Sequence, residues 1–332
     1  MINGMKIAFV YVGLVIGAGF ASGREIFEYF NIKSRESMFP VILAFLMFFI
    51  ISYIILYKAK KYQINDFGKF VDEVAGRLSK FIKATMYLFM FCGFFVMLSA
   101  GGALFESGLG INHKWGVGVL SLICFIVFSF DIKGIVAINT ILVPFMIAGI
   151  SYLSVTSLVY GSVSASSFSI TQNPFVSAVC YVSYNTITAG AVLVPLYLIL
   201  DEKSIKYGAL LGSGALCLLI LLIRAVLNMY YERIFYSEMP MLDLAVIRGA
   251  VYQYIYTAVL FTSICTTAVS HGFGVLSRFR FKTAKHRVTG AAAFCLAALP
   301  FSDLNFSFLV SSLYSLFGYI GILWLVILVF KK

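Results

Sequence analysis

The sequence predicts an all-α, polytopic membrane protein of ten transmembrane helices, arranged as two five-helix halves. Three observations carry that prediction. The 332 residues are 61% hydrophobic and only 12% charged, about half the charge of a soluble domain. Apolar runs of about 20 residues recur along the chain, each long enough for a bilayer core of roughly 30 Å. A serine-rich stretch near the middle, without charges, separates five such runs from five more. A β-barrel is excluded, because the runs show no period-two alternation.

The spans fall at roughly 4–30, 36–57, 79–106, 115–130, 134–158, 175–200, 206–229, 241–270, 287–300 and 305–330. Residues 4–158 form a first repeat and 175–330 a second, within one transmembrane domain over 1–332, and 159–174 joins them. An odd number of spans per half inverts the second half, so an axis in the membrane plane relates the two. An offset of 170 sets Tyr11-Val12-Gly13 against Tyr181-Val182-Ser183. In the segment 62–77, Phe67, Phe70, Val71 and Val74 fall at helical spacing, which reads as a short interfacial helix.

The net charge of +11 marks topology. With the N-terminus inside, eighteen of the 25 Lys and Arg residues lie on the cytoplasmic side and four outside; three lie within spans. That asymmetry is the positive-inside pattern. It places both termini in the cytoplasm, and makes the lipid bilayer, not nucleic acid, the expected partner of the chain. The six cysteines sit in apolar spans without CxxC spacing, and His113, His271 and His286 sit at span ends or in loops. Neither a metal centre nor a nucleophilic triad can be built from them. The sequence therefore predicts no enzyme and no covalent cofactor.

The most informative stretch is Val15–Glu25, "VIGAGFASGRE". Gly17 and Gly19 weaken a helix where lipid cannot hydrate it, and unwound backbone survives in a membrane only beside protein or a wet cavity. A break at Gly17-Ala18-Gly19 predicts a mid-membrane cavity. The next half-helix would turn its positive end toward a carboxylate near Phe20, and carbonyls at Gly13 and Ile16 would face a cation. Helix packing is the competing reading, since Gly13–Gly17 and Gly19–Gly23 both have GxxxG spacing. In the sixth span, "YVSYNTITAG" sets Tyr181, Ser183, Tyr184 and Asn185 in an apolar segment and predicts a second break. In the eighth, Thr262, Ser263, Thr266, Thr267 and Ser270 suggest a polar pathway, against the alternative that each hydroxyl bonds its own helix.

"GLVIGAGFASGREI" resembles the YkvI-like group of bacterial membrane proteins, in the amino acid–polyamine–organocation superfamily with its LeuT-type fold. The resemblance implies a 5+5 inverted repeat with helices 1 and 6 broken at mid-membrane, and alternating access. It puts substrate at Gly17, Ala18, Gly19, Phe20, Tyr181, Ser183, Tyr184 and Asn185. A sodium ion would sit at the backbone oxygens of Gly13, Ile16 and Val259 and the hydroxyls of Thr262 and Ser263. Sodium-independent members can place a lysine of helix 5 there; Lys133 lies too near the cytoplasmic edge for that.

Arg24 follows the first break, and an outer gate would pair it with Glu106 or Asp303; the alternative is an i, i+4 pair with Glu28. The expected function is cation-coupled secondary transport of a small solute, such as an amino acid, with sodium as coupling ion. The alternatives are a ligand-sensing receptor subunit of the same fold, or a sodium-independent or proton-coupled amino acid carrier. A channel would need a continuous polar lining.

Overall fold

The computed structural model describes residues 2–30, 38–161, 173–196, 201–234, 236–279, 281–304, 308 and 310–331. Among them, every regular element is helical. The first apolar run makes three pieces, α1 (Ile2–Val15), α2 (Ala18–Ala21) and α3 (Arg24–Tyr29). Then follow α4 (Phe39–Lys61), α5 (Phe67–Ala75), α6 (Ser79–Leu109), α7 (His113–Ser129), α8 (Asp131–Tyr160) and α9 (Pro174–Leu196). The second half continues with α10 (Glu202–Met229), α11 (Tyr231–Ile234), α12 (Pro240–Arg248), α13 (Ala250–Leu276) and α14 (Ala284–Ala298). A π-helical turn at Val310–Tyr314 runs into α15 (Ser315–Phe330).

Seven helices are long and apolar enough to cross a membrane, and Gly4–Val15 and His113–Ser129 are shorter apolar helices. Burial sorts them into an inner and an outer set. In the most apolar stretch of α9, 89% of residues are buried inside the protein, and 83% in α13, against 39–44% in α4, α8, α10 and α15. The outer set turns its remaining residues, such as Leu46, Leu122, Ile141 and Leu218, to the lipid. That is what replacing water by hydrocarbon requires of an apolar surface. Within the bundle, α1 packs on α10, α8 and α13, while α9 packs on α4 and α15, and α13 on α6.

Local chemistry sets the ends. Pro40 and Pro240 occupy the first turns of α4 and α12, where no N–H is needed. Asp66 caps α5 by accepting from Lys69 N–H at 2.8 Å, and Asn112 and Thr283 do the same for α7 and α14. The face of α5 carrying Phe67, Phe70, Val71 and Val74 is buried against its neighbours, with the Phe67 ring over Gly190 of α9.

Two expectations about the spans are corrected. The eighth span does not run from 241. Gly249, at φ +120°, separates α12 from α13, so 240–248 is a short helix of its own. The sixth span is not interrupted: α9 is continuous over Pro174–Leu196. Its polar residues bond their own helix, Ser183 Oγ to Cys180 O (2.9 Å), Asn185 Nδ2 to Tyr181 O (2.9 Å) and Thr186 Oγ1 to Val182 O (2.6 Å). Side chains satisfied that way place no demand on the backbone to unwind. Most of the joining stretch 159–174 lies outside the described residues.

Small residues let α1 and α10 approach closely. A side chain at Gly208 would come 2.7 Å from Cβ of Ile7, whereas Gly214 faces open space. Gly208→Leu should therefore destabilise the detergent-purified protein by about 1–3 kcal/mol through overpacking, and Gly214→Leu should not. Thermal unfolding of the two variants side by side checks this.

Candidate functional site

The site forms where α1 stops. Ile16 N–H closes a last helical bond on Val12 O (2.8 Å), but Gly17 N–H turns back to Val15 O (2.9 Å). Gly17 is extended, at φ −95° and ψ −174°, before the single turn of α2. The Ile16 carbonyl, out of the helical ladder, accepts from two hydroxyls of α13: Ser263 Oγ (3.1 Å) and Thr267 Oγ1 (3.4 Å). Gly17 favours that approach, since a Cβ there would stand 3.0 Å from Thr267 Oγ1. A second kink follows at Gly23, with φ +81°, a region that favours glycine.

Of the expected cation ligands, the structure brings Ile16 and Ser263 together. Thr262 lies off that face and donates to Val259 O instead (2.7 Å), as a hydroxyl serving its own helix. Thr267, i+4 from Ser263, occupies the place expected for Thr262. Gly13 faces Asn139 and Val143 of α8. Lys133 lies in the first turn of α8, with its side chain outside the described residues.

Beside the break lies a small cavity of about 10 Å³, room for about one water. Gly17, Glu25, Tyr184, Asn185, Thr188, Thr267, His271 and Tyr314 line it, with Leu14, Val15 and Phe89. Of the predicted substrate residues, Gly17, Tyr184 and Asn185 reach it. Gly19 lies directly beneath the carboxyl of Glu25, where a Cβ would collide with Oε1. Ala18 and Phe20 are buried in the packing around α2. Tyr181 stacks among Tyr29, Phe30 and Phe48 at centroid distances of 5.5, 4.9 and 5.9 Å. Ser183 points away, into α15, where its hydroxyl donates to Gly318 O at 2.5 Å.

Thr267, expected in a polar pathway, lines the site, and Glu25, Thr188 and His271 join it without having been assigned as substrate or cation ligands. His271 is not at a span end but buried within α13. Its Nδ1 lies 3.0 Å from Thr267 O and its Nε2 3.3 Å from Thr188 Oγ1. A carbonyl only accepts, so Nδ1 carries a proton, while the threonine hydroxyl can serve Nε2 as donor or acceptor. The i, i+4 spacing of Thr267 and His271 was the available signal.

Contacts with α12 and α13 cover the α2–α3 side of the cavity. Tyr256 Oη donates to Ala21 O (2.5 Å) and Met241 N–H to Ser22 O (2.8 Å). Arg24 does not reach Glu106 or Asp303. It pairs with Glu28 at 3.1 Å and donates to Ser237 O at 3.4 Å. One helical turn brings Glu28 within reach at no cost in chain ordering, which a partner on another helix cannot match. Glu106 lies largely exposed, 3.9 Å from His113. At the other end of the bundle, a larger cavity of about 680 Å³ runs between α5, α6 and α13, lined by Lys69, Lys83, Tyr87 and Arg278 among others.

Sequence and structure comparisons agree on the kind of protein this is. No family model matches the chain. Two Bacillus subtilis proteins align over 98% of it: the uncharacterized membrane protein YkvI, 28% identical over 95% of its own length, and the uncharacterized protein YyaD, 27% identical over 96%. The chain is homologous to the YkvI and YyaD membrane proteins. Solved structures share the fold. A Na+-coupled sialic acid symporter in a substrate-bound outward-open state superposes with a TM-score of 0.67, at 16% identity over 95% of this chain and 76% of its own. A variant of a manganese transporter from Eremococcus coleocola gives 0.62, at 11% identity over 98% and 78%. A nucleobase-cation-symport-1 family transporter in a closed conformation gives 0.55, at 15% identity over 96% and 77%. These neighbours are LeuT-fold membrane transporters, not enzymes. The likeness shows that this YkvI homologue shares their fold.

The Arg24–Glu28 pair makes a quantitative prediction. Its side chains are about a quarter exposed, so a double-mutant cycle to alanine should give a coupling of only about 0.3–0.5 kcal/mol. A cycle between Arg24 and Glu106 should give none. Denaturant unfolding in mild detergent measures both.

Proposed function

We propose that the protein is a cation-coupled secondary transporter, moving a small solute across the bacterial inner membrane by alternating access, with sodium as coupling ion and an amino acid as solute. One observation carries the reading: the broken end of α1 presents a backbone carbonyl to two hydroxyls of α13, beside a small polar cavity. Unwound carbonyls at half-helix ends are the groups with which transporters of this architecture hold a driving cation. In this proposal Ile16 O, Ser263 Oγ and Thr267 Oγ1 are three ligands, and Gly13 O, released when Gly17 N–H turns away, is a fourth. The ten helical segments α1–α3, α4, α6, α7, α8, α9, α10, α13, α14 and α15 are the ten spans, in two inverted halves. Tyr11 and Tyr181, matched by the offset of 170, both contact Phe48 of α4, one from each half. Both termini and the basic loops face the cytoplasm, so the 680 Å³ cavity is the inward vestibule and α12 the outer lid.

A cation moving inward down 100 mV yields about 2.3 kcal/mol, roughly fifty-fold accumulation of a neutral solute per ion. Proteoliposomes loaded with potassium should therefore take up at least one of a panel of labelled amino acids when sodium is outside. Thr267→Ala and Ser263→Ala should each raise the sodium concentration for half-maximal uptake about tenfold or more, with solute affinity at saturating sodium little changed. Saturable binding with no flux under any gradient would instead point to a receptor. Uptake that follows a proton gradient and ignores sodium would remove sodium from the scheme.

A further inference from the structure

The strongest unexplained feature of the molecule is the carboxyl of Glu25. It is 3% exposed and lines the cavity beside the α1 break. Among the described residues no salt bridge reaches it, and its Oε2 makes no hydrogen bond. Every titratable or charged group that faces it can be named. On α3 itself, Arg24 is committed to Glu28 and the Ser237 carbonyl, and Tyr29 lies one turn on. From α9 come Tyr181 and Tyr184, which turn their hydroxyls toward the carboxyl, although neither phenol nor Oε2 completes a well-aligned hydrogen bond. From α13 comes His271, whose ring nitrogens meet Thr267 O and Thr188 Oγ1. From the π-helical turn before α15 comes Tyr314, and Glu28 of α3 acts on Glu25 as a second carboxyl. Apart from Arg24, which is taken by Glu28, none of these carries a fixed positive charge.

An isolated carboxylate removed from water is among the most costly arrangements a fold can hold, so the carboxyl either takes up a proton or is accompanied by a cation; a cation brought by a bound solute would supply the charge. What surrounds this carboxyl specifies which kind. The rings of Tyr29, Tyr181, Tyr184 and Tyr314 form one connected cluster, with centroids 5.5, 5.8, 5.6 and 5.1 Å apart between Tyr29–Tyr181, Tyr29–Tyr184, Tyr181–Tyr184 and Tyr184–Tyr314. Phe89 closes the group at 6.2 Å from Tyr184 and 5.8 Å from Tyr314. Among the described residues no group of three His, Cys, Asp or Glu side chains that could hold a metal ion includes Glu25. One carboxylate inside an aromatic cluster is the arrangement that suits an organic ammonium group, which gains from charge and from ring faces together.

We infer that Glu25 is the seat for a positively charged nitrogen on the transported solute, with the tyrosine cluster as its walls. The inference rests on the transporter reading above and deepens it, naming the solute as an ammonium compound held by its charge. Gly19 is part of the same device, since any side chain there would displace the carboxyl. Glu25 stands on α3, whereas Ile16, Ser263 and Thr267 belong to the α1 break and to α13, so in this scheme different elements hold the solute charge and the driving ion.

Direct binding tests this apart from flux. The full-length protein in detergent is titrated by scintillation proximity with labelled amino acids, putrescine and choline. Each is competed with its closest analogue lacking the charged nitrogen, such as the matching carboxylic acid or alcohol. At least one ammonium compound should bind and its uncharged-nitrogen analogue should not compete. Glu25→Gln, which keeps shape and removes charge, should weaken binding about a hundredfold, and Glu25→Asp should weaken it less. Were Glu25→Gln to unfold, the competition series on the unaltered protein would decide alone. The inference is overturned if no ammonium compound binds, if analogues without the nitrogen compete equally, or if Glu25→Gln binds with unchanged affinity. In that last case a lost response to proton gradients would make Glu25 a proton carrier. Binding as described without any uptake in liposomes would overturn the transporter reading and leave Glu25 in place.

Discussion

A peptide carbonyl that leaves its helix inside a hydrocarbon layer must find a donor or a cation, because lipid offers neither. At Ile16 the donors are two hydroxyls of a different helix, Ser263 and Thr267. Much of the architecture follows from that contact. It ties the broken end of α1 to α13 and so fixes where the cavity opens. It also favours Gly17, because a Cβ there would press against the Thr267 side chain at 3.0 Å. Hydroxyls that would otherwise loop back on their own helix are thereby held in a place where a cation could replace their protons as partner to the same oxygen.

The two helices rich in hydroxyls, α9 and α13, both stay whole. In α9, Asn185 and Thr186 turn to carbonyls four residues back, and Ser183 reaches both Cys180 O and Gly318 O of α15. In α13, Thr266 and Ser270 turn back in the same way, and Ser263 and Thr267 reach Ile16 O of α1. The break lies in the partner of α13, where Gly17 is extended at the end of α1. Polar density alone therefore does not mark an interruption in a membrane.

Most of the fold was legible in the sequence, because hydropathy and charge bias act over windows of twenty residues and tolerate local error. The amphipathic α5 and the break near Gly17 were legible too, each carried by residues whose effect is local. The site was legible only in part. Glu25 escaped because the kinks at Gly17 and Gly23 each reset the phase of the helix, so no count of residues from α1 tells which way α3 faces. His271 escaped through a boundary error. With the eighth span begun at 241, it fell at a span end, whereas the turn at Gly249 moves α13 onward and sets the ring at the cavity. The Arg24 gate failed for a simpler reason: Glu28 is one turn away on the same helix.

The contacts that close the α2–α3 side share a feature that bears on how the molecule would open. Tyr256 and Met241 both bond carbonyls of the short α2 segment, at Ala21 and Ser22, and Arg24 just beyond holds the Ser237 carbonyl. Three elements thus grip two successive turns of one chain, with Gly17 before the first turn and Gly23 between the two. Swinging α2–α3 outward would break all three contacts together and carry Glu25 away from Tyr184 and Tyr314, which belong to other helices. Opening on that side and dismantling the carboxyl's aromatic surround are therefore one movement. A charged solute that holds Glu25 against the tyrosines would favour the closed arrangement, and its binding energy would be spent on closure, as differential affinity for one of two states requires.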